Sequence, residues 1–161
     1  MDKGYHIIST LVEDKPGVLQ KVAGLFNRRG FNIDGITVGE SEVKGLSRMV
    51  ITVNADVKGL EQVTKQLNKL VDVVKIKDIT KNAVQRGLCL IKVNVPDEKA
   101  RAEIMQYTNI FRANIVDVSE ETLMIELTGD IEKIDAFVSL LENFGIKKIA
   151  RTGLTAMARG I

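Results

Sequence analysis

The chain has 161 residues, a formal net charge of +2, and a composition of 45% hydrophobic and 27% charged residues. This balance is typical of a folded globular protein, and the length is enough for one ordinary domain or two small ones. Aromatic residues make up only 4%, and the charges are balanced in both halves, so most classes of nucleic-acid-binding module are excluded. No stretch approaches the ~20 apolar residues of a membrane span or has the pattern of a signal peptide. We therefore expect a cytoplasmic protein with no nucleic-acid or membrane partner.

The first half of the chain alternates strand and helix patterns. Its apolar residues recur at helical spacing after the turn Asp14-Lys15-Pro16-Gly17, and Gly30 is placed to end that helix. The predicted elements are strand 5–12, helix 18–29, strand 32–39, strand 47–53, helix 57–70 and strand 71–79. In the second strand, simple alternation predicts that Ile33, Gly35, Thr37 and Gly39 share one face, and that Asn32, Asp34, Ile36 and Val38 share the other.

The second half repeats the same order of elements. The predicted elements are strand 87–95, helix 97–108, strand 114–118, strand 122–127, helix 130–143 and strand 146–151. Asp56 and Asp130 begin helices with matching apolar spacing 74 positions apart, and both are predicted N-caps. The repeat predicts an α+β protein with two ferredoxin-like βαββαβ domains in tandem, over residues 1–80 and 81–161. Because the strands carry apolar residues on both faces, we expect self-association or a partner protein to cover the outer sheet face.

Few residues offer catalytic chemistry. His6 and Cys89 are the only histidine and the only cysteine, so neither a metal site with three His or Cys ligands nor a recognisable nucleophilic triad can be assembled. Cys89 lies in an apolar run and is predicted to be a buried thiol. Phosphate-binding glycine motifs are absent. We expect a non-catalytic chain with no metal and no cofactor of its own; an enzyme that uses Asp14 and His6 is an alternative without a supporting pattern.

One segment points to a ligand. The loop Asp14-Lys15-Pro16-Gly17 delivers the backbone amides of Gly17, Val18 and Leu19 at a helix N-terminus, where unpaired N–H groups and the helix dipole favour an anion. Asp14 stands beside them and can meet an ammonium group. An acid next to an anion site suits a zwitterionic amino acid, although the same pattern also occurs at an ordinary helix start.

The sequence Asp14-Lys15-Pro16-Gly17-Val18-Leu19 after a first strand resembles the signature loop of the ACT domain, a ligand-sensing ferredoxin-like module. The segments 22–34, 46–49 and 65–73, and in the second half 109–118, 127–129, 133–137 and 150–153, resemble the small subunit of acetohydroxyacid synthase (acetolactate synthase). This resemblance covers nearly the whole chain. A ligand-responsive transcription regulator that contains ACT domains is the alternative, but the near-neutral charge and the lack of a basic helix-turn-helix argue against it.

The resemblance implies a regulatory subunit that binds and activates a large catalytic subunit and confers feedback inhibition by valine in branched-chain amino-acid synthesis. Thiamine diphosphate, magnesium and FAD are then expected on the catalytic partner. It also implies a homodimer through the ACT domains, with valine between the first-helix loop of one chain and the second strand of the other. The valine-binding residues expected from it are Asp14, Gly17, Val18, Leu19, Asn32 and Ile33.

Overall fold

The computed structural model describes residues 4–160, which form two compact units. The first unit comprises the described residues of Met1–Gln85 and Gly153–Ile161, and the second is Arg86–Thr152. This division differs from the expected domains 1–80 and 81–161. The first unit extends five residues further, and the end of the chain returns to it.

The first unit is an antiparallel sheet with two helices packed on one face. Its strand order is β2-β3-β1-β4, which is that of a ferredoxin-like split βαβ fold and confirms the predicted class. Aliphatic side chains from the sheet and both helices form the core, with Ile8, Phe26 and Ile51 fully buried. The elements are β1 (Gly4–Glu13), α1 (Val18–Arg28), β2 (Ile33–Glu40), β3 (Leu46–Ala55), α2 (Val57–Leu67) and β4 (Val73–Asp78).

The second unit repeats this architecture in the order β6-β7-β5-β8. Its core is mainly aliphatic and also contains Phe137, whose ring lies 5.1 Å from that of Phe111 between centroids. The elements are β5 (Ala83–Asn94), which begins at the end of the first unit, α3 (Glu98–Ile110), β6 (Asn114–Val118), β7 (Thr122–Gly129), α4 (Ile131–Glu142) and β8 (Ile146–Arg151). The short β9 (Thr155–Ala158) follows them in the chain and belongs to the first unit.

Three helices begin at an aspartate cap. The Asp56 carboxylate accepts a hydrogen bond from Gly59 N at 2.7 Å, and that of Asp130 accepts one from Lys133 N at 2.9 Å. Both predicted caps are therefore confirmed, and Asp97 caps α3 in the same way by accepting from Ala100 N. The carboxylate satisfies an amide that the first helical turn leaves without a backbone partner. By contrast, α1 begins at Gly17 without any side-chain cap.

The side chains of β2 do not simply alternate between the two faces of the sheet. Ile33 pairs with Val53 and Gly35 with Thr52, so no residue of β3 pairs with Asp34, which forms a β-bulge. The bulge reverses the alternation, and Ile33 and Ile36 both pack against the helix-side core. The expectation that they lie on opposite faces was therefore wrong, because one extra residue shifts every later side chain by one position.

The outer face of the first sheet is covered in part by the chain itself. Residues 153–158, here called the C-terminal strap, place Leu154 and Ala156 against Ile7 and Val50, and both strap residues are almost fully buried. The Thr37 hydroxyl donates to the Leu154 carbonyl oxygen at 2.9 Å. From the sequence we expected only a second chain or a partner protein as cover, and β9 was not predicted.

Candidate ligand-binding site

Backbone hydrogen bonds fix the loop between β1 and α1. Glu13 N donates to the Asp72 carbonyl oxygen at 2.8 Å, and Asp14 N donates to that of Gly45 at 2.9 Å. These two contacts hold the end of β1 between the hairpin turn and the entrance to β4. The loop therefore presents the start of α1 on a fixed frame.

Gly17 is the residue that turns the chain into the helix. Its φ of 86° is in the left-handed region, which glycine adopts without steric penalty. A Cβ built on Gly17 would meet no heavy atom within 4 Å, so the space that a side chain at this position would enter is open.

The start of α1 has backbone N–H groups without protein partners. Over residues 4–160 we find no acceptor for the amides of Gly17, Leu19 and Gln20. The Val18 amide, also predicted to be a free donor, instead donates a long hydrogen bond to the Lys15 carbonyl oxygen at 3.4 Å. The Val18 side chain is buried in the core. Gln20 was missed by the sequence analysis, although the rule that the first four helical N–H groups lack partners would have included it.

Two charged side chains, those of Asp14 and Lys21, are close in sequence to these amides. The Asp14 carboxylate is exposed and, within the described part of the chain, makes no hydrogen bond or ion pair. Lys21, one turn into α1, donates to the Asp72 carboxylate at 2.6 Å, and this hydrogen bond lowers the pKa of Asp72. Because Lys21 is paired with Asp72, the groups left unpaired at the loop are the Asp14 carboxylate and the backbone amides at the start of α1. This pair matches the ammonium and carboxylate of an amino acid.

Asn32 and Ile33 lie at the other end of the same sheet. Ile33 pairs with Val53, and Val53 pairs with His6 near the start of β1, whereas the ligand loop follows Glu13 at the end of β1. Seven residue steps at ~3.3 Å each separate these rows by about 23 Å. One chain therefore does not bring the two halves of the expected site together, and a second chain would have to supply the Asn32 end.

His6 and Cys89 are both held in structural positions. His6 Nε2 lies 3.2 Å from the Ala55 carbonyl oxygen. Cys89 is fully buried in the second core, as predicted, and burial raises the pKa of its thiol. Over residues 4–160, we find no group of three or more His, Cys, Asp or Glu side chains placed to hold a metal ion, and no helix long and apolar enough to cross a membrane.

Comparison with known proteins places the chain in a family. Residues 86–160 match the family model described as the small subunit of acetolactate synthase, and residues 8–75 match the ACT domain of acetohydroxyacid synthase small subunits. This chain belongs to the acetolactate synthase small-subunit family.

Individual members of that family are similar over nearly the full length. A protein of Methanothermobacter thermautotrophicus, named "Probable acetolactate synthase small subunit", is 63% identical over 99% of this chain and 96% of its own. The acetolactate synthase small subunit of Mycobacterium bovis is 50% identical over 96% of this chain and 92% of its own. The crystal structure of the small subunit from Thermotoga maritima has a TM-score of 0.89 at 50% identity, covering 98% of this chain and 99% of the other. Membership in this family supports the role of a non-catalytic regulatory subunit.

Proposed function

We propose that this chain activates the large catalytic subunit of acetolactate synthase and makes that enzyme sensitive to feedback inhibition by valine. The observation that carries the proposal is the set of unpaired amides at the start of α1 beside the unpaired Asp14 carboxylate, in a chain that belongs to the small-subunit family. Amides at a helix N-terminus bind carboxylates, and a nearby acid balances an ammonium group.

The proposed site contains the six residues expected from the sequence, in two groups. Gly17 and Leu19 donate their amides to the valine carboxylate, with the amide of Gln20 as a further donor. Val18 shapes the turn, and Asp14 faces the ammonium group. In this proposal the second chain of a homodimer supplies Asn32 and Ile33, and the apolar side chain of Ile33 gives the valine methyl groups a surface to contact.

The catalytic chemistry belongs to the partner in this proposal. Thiamine diphosphate, magnesium and FAD would be bound by the large subunit, and this chain would act by binding to it in the cytoplasm. Valine bound to this chain would then change the rate of the large subunit through a coupling free energy between the valine site and the partner's active site.

Reconstitution of the holoenzyme tests the proposal. We expect the purified chain to form no acetolactate alone, to raise the rate of its cognate large subunit at saturating ratio, and to make that rate fall as valine is added. Calorimetry with valine and the purified chain should detect binding. An unchanged large-subunit rate at every ratio would refute the regulatory assignment, and a stimulated rate that valine does not lower would refute the sensing role alone.

A further inference from the structure

A cavity of about 650 Å³ opens on the outer face of the first sheet. Ser9 and Leu11 of β1 line it, and they alternate with Ile8 and Val12, which belong to the helix-side core. The cavity is therefore on the opposite face of the sheet from α1 and α2. Its volume is within the range of small-molecule sites, which is roughly 300 to 1,000 Å³.

The register of three strands places cations in the floor of this cavity. Leu11 pairs with Arg48 on β3 and with Lys75 on β4, so the two cations flank an apolar residue in one row. In the next row, Ser9 pairs with Lys77. Three basic side chains from two strands thus face the same space.

Among the described residues that line the cavity, Glu42 is the only acid, and it is already paired. Both carboxylate oxygens of Glu42 accept hydrogen bonds from Arg48, at 2.9 and 3.0 Å, and Arg48 also reaches the Ser9 hydroxyl at 3.4 Å. Over residues 4–160, neither Lys75 nor Lys77 has a carboxylate within ion-pair distance. The lining therefore carries two positive charges without counter-charges, and a low-dielectric wall strengthens their attraction for an anion.

The remaining lining is apolar. Leu11 and Ile79 form part of the floor, and Ala156 and Met157 of the C-terminal strap form a wall. Met157 is 67% exposed, which leaves a flexible thioether side chain available to a ligand. Lysines next to an apolar wall suit a molecule with an anionic group and a hydrocarbon body.

We propose that this cavity binds a free small amphipathic anion, in which an apolar body carries a phosphate or carboxylate group. Lys75 and Lys77 bind the anionic group, and Leu11, Ile79 and Met157 contact the apolar body. The site is separate from the valine site proposed above, because none of the residues proposed to bind valine lines this cavity.

Calorimetry on the full chain tests this site with octyl phosphate and octanoate, both below their micellar concentrations. Inorganic phosphate supplies the charge without the apolar body, and 1-octanol supplies the apolar body without the charge. We expect at least one amphipathic anion to bind at least tenfold more tightly than inorganic phosphate and than 1-octanol. The variant Lys75→Gln/Lys77→Gln should weaken that binding at least tenfold. The matched control is Lys147→Gln/Lys148→Gln, which removes the same charge from β8, the corresponding strand of the second unit.

Three results would overturn the proposal. If neither amphipathic anion binds, the cavity is not a site for this class. If both double variants weaken binding equally, the attraction comes from the net charge of the chain. If the chain cosediments with phosphatidylglycerol vesicles and loses this with Lys75→Gln/Lys77→Gln, the ligand is a lipid headgroup in a membrane and not a free molecule. Methyl resonances of Met157 that shift with the ligand in the wild type, but not in the β4 variant, would place it against the strap.

Discussion

Gly17 gives the ligand loop both its backbone shape and its open access, and these contributions can be separated by substitution. Its φ of 86° is a conformation that only Gly, and less readily Asn and Asp, adopt. Gly17→Asn and Gly17→Asp should therefore lose similar stability, about 1 to 2 kcal/mol. They are nearly equal in shape and differ in charge, so each serves as the control for the other.

We expect Gly17→Asp to bind valine at least tenfold more weakly than Gly17→Asn, because its carboxylate stands where the amides would receive the ligand carboxylate. Loss of a charge-assisted hydrogen bond alone costs about 1.5 to 3 kcal/mol. Calorimetry and the valine dependence of the reconstituted enzyme measure the difference. Equal affinity in the two variants would mean that valine binds elsewhere.

The ion pair between Lys21 and Asp72 makes stability near the loop depend on pH. Since the hydrogen bond from Lys21 lowers the pKa of Asp72 in the folded chain, its stabilisation is present above the pKa of the unfolded chain and is lost as the pH falls through the folded value. Lys21→Met should lower the unfolding midpoint at neutral pH, and the difference from wild type should shrink as the solution is acidified. Lys44→Met, which removes an exposed lysine, is the control. A difference that stays constant with pH would show that the pair has no electrostatic effect on folding.

Most helices and strands could be predicted because their apolar periodicity is strong and their ends carry clear signals. Asp56 and Asp130 cap helices at the predicted positions, and the two predicted sheets have the expected element order. The bulge at Asp34 could not be predicted, because a single unpaired residue leaves the strand pattern almost unchanged. The strap was missed because four residues of β9 are too short for a periodicity, and their burial depends on a sheet distant in sequence.

The C-terminal strap crosses β2 where two glycines allow the backbones to approach closely. A Cβ on Gly153 would lie 2.8 Å from the backbone N and O of Ile36, and one on Gly35 would lie 3.4 Å from Gly153 Cα. Gly153→Ala must therefore move backbone, and overpacking of this kind costs about 1 to 3 kcal/mol. We expect lower stability in guanidinium and faster hydrogen exchange of the Arg159 amide, which donates to the Asn82 carbonyl oxygen at 2.8 Å.

Gly24→Ala is the matched control for the strap variant. A Cβ on Gly24 meets only the Arg28 guanidinium, at 3.7 Å, and alanine favours a helix interior over glycine by about 1 kcal/mol. The same chemical change should therefore stabilise the chain in α1 and destabilise it in the strap. If Gly153→Ala left both stability and Arg159 exchange unchanged, the strap would not be held against β2 in solution.

The valine site proposed above would draw on two chains. The ligand loop and the start of β2 are about 23 Å apart along the sheet by the strand rise, and β2 is an edge strand. An edge strand has unpaired N–H and C=O groups that can pair with a second copy. A symmetric pairing of β2 with β2 of a second chain would extend the sheet and follow the usual twofold symmetry of homodimers.

Val38 and Val74 allow a direct test of this assembly. Val38 is 47% exposed on β2, and Val74 is 57% exposed on β4, the other edge of the same sheet. Lysine on an edge strand opposes pairing because two copies bring like charges together. We expect Val38→Lys to sediment as a monomer at micromolar concentration and to lose most of its valine affinity, whereas Val74→Lys remains a dimer that binds valine.

Because the Asn32 end of the proposed site must come from a second chain, valine should also shift the wild-type protein toward the dimer by mass action. A wild-type monomer that binds valine at a concentration far below that of dimer formation would show that one chain holds the complete site.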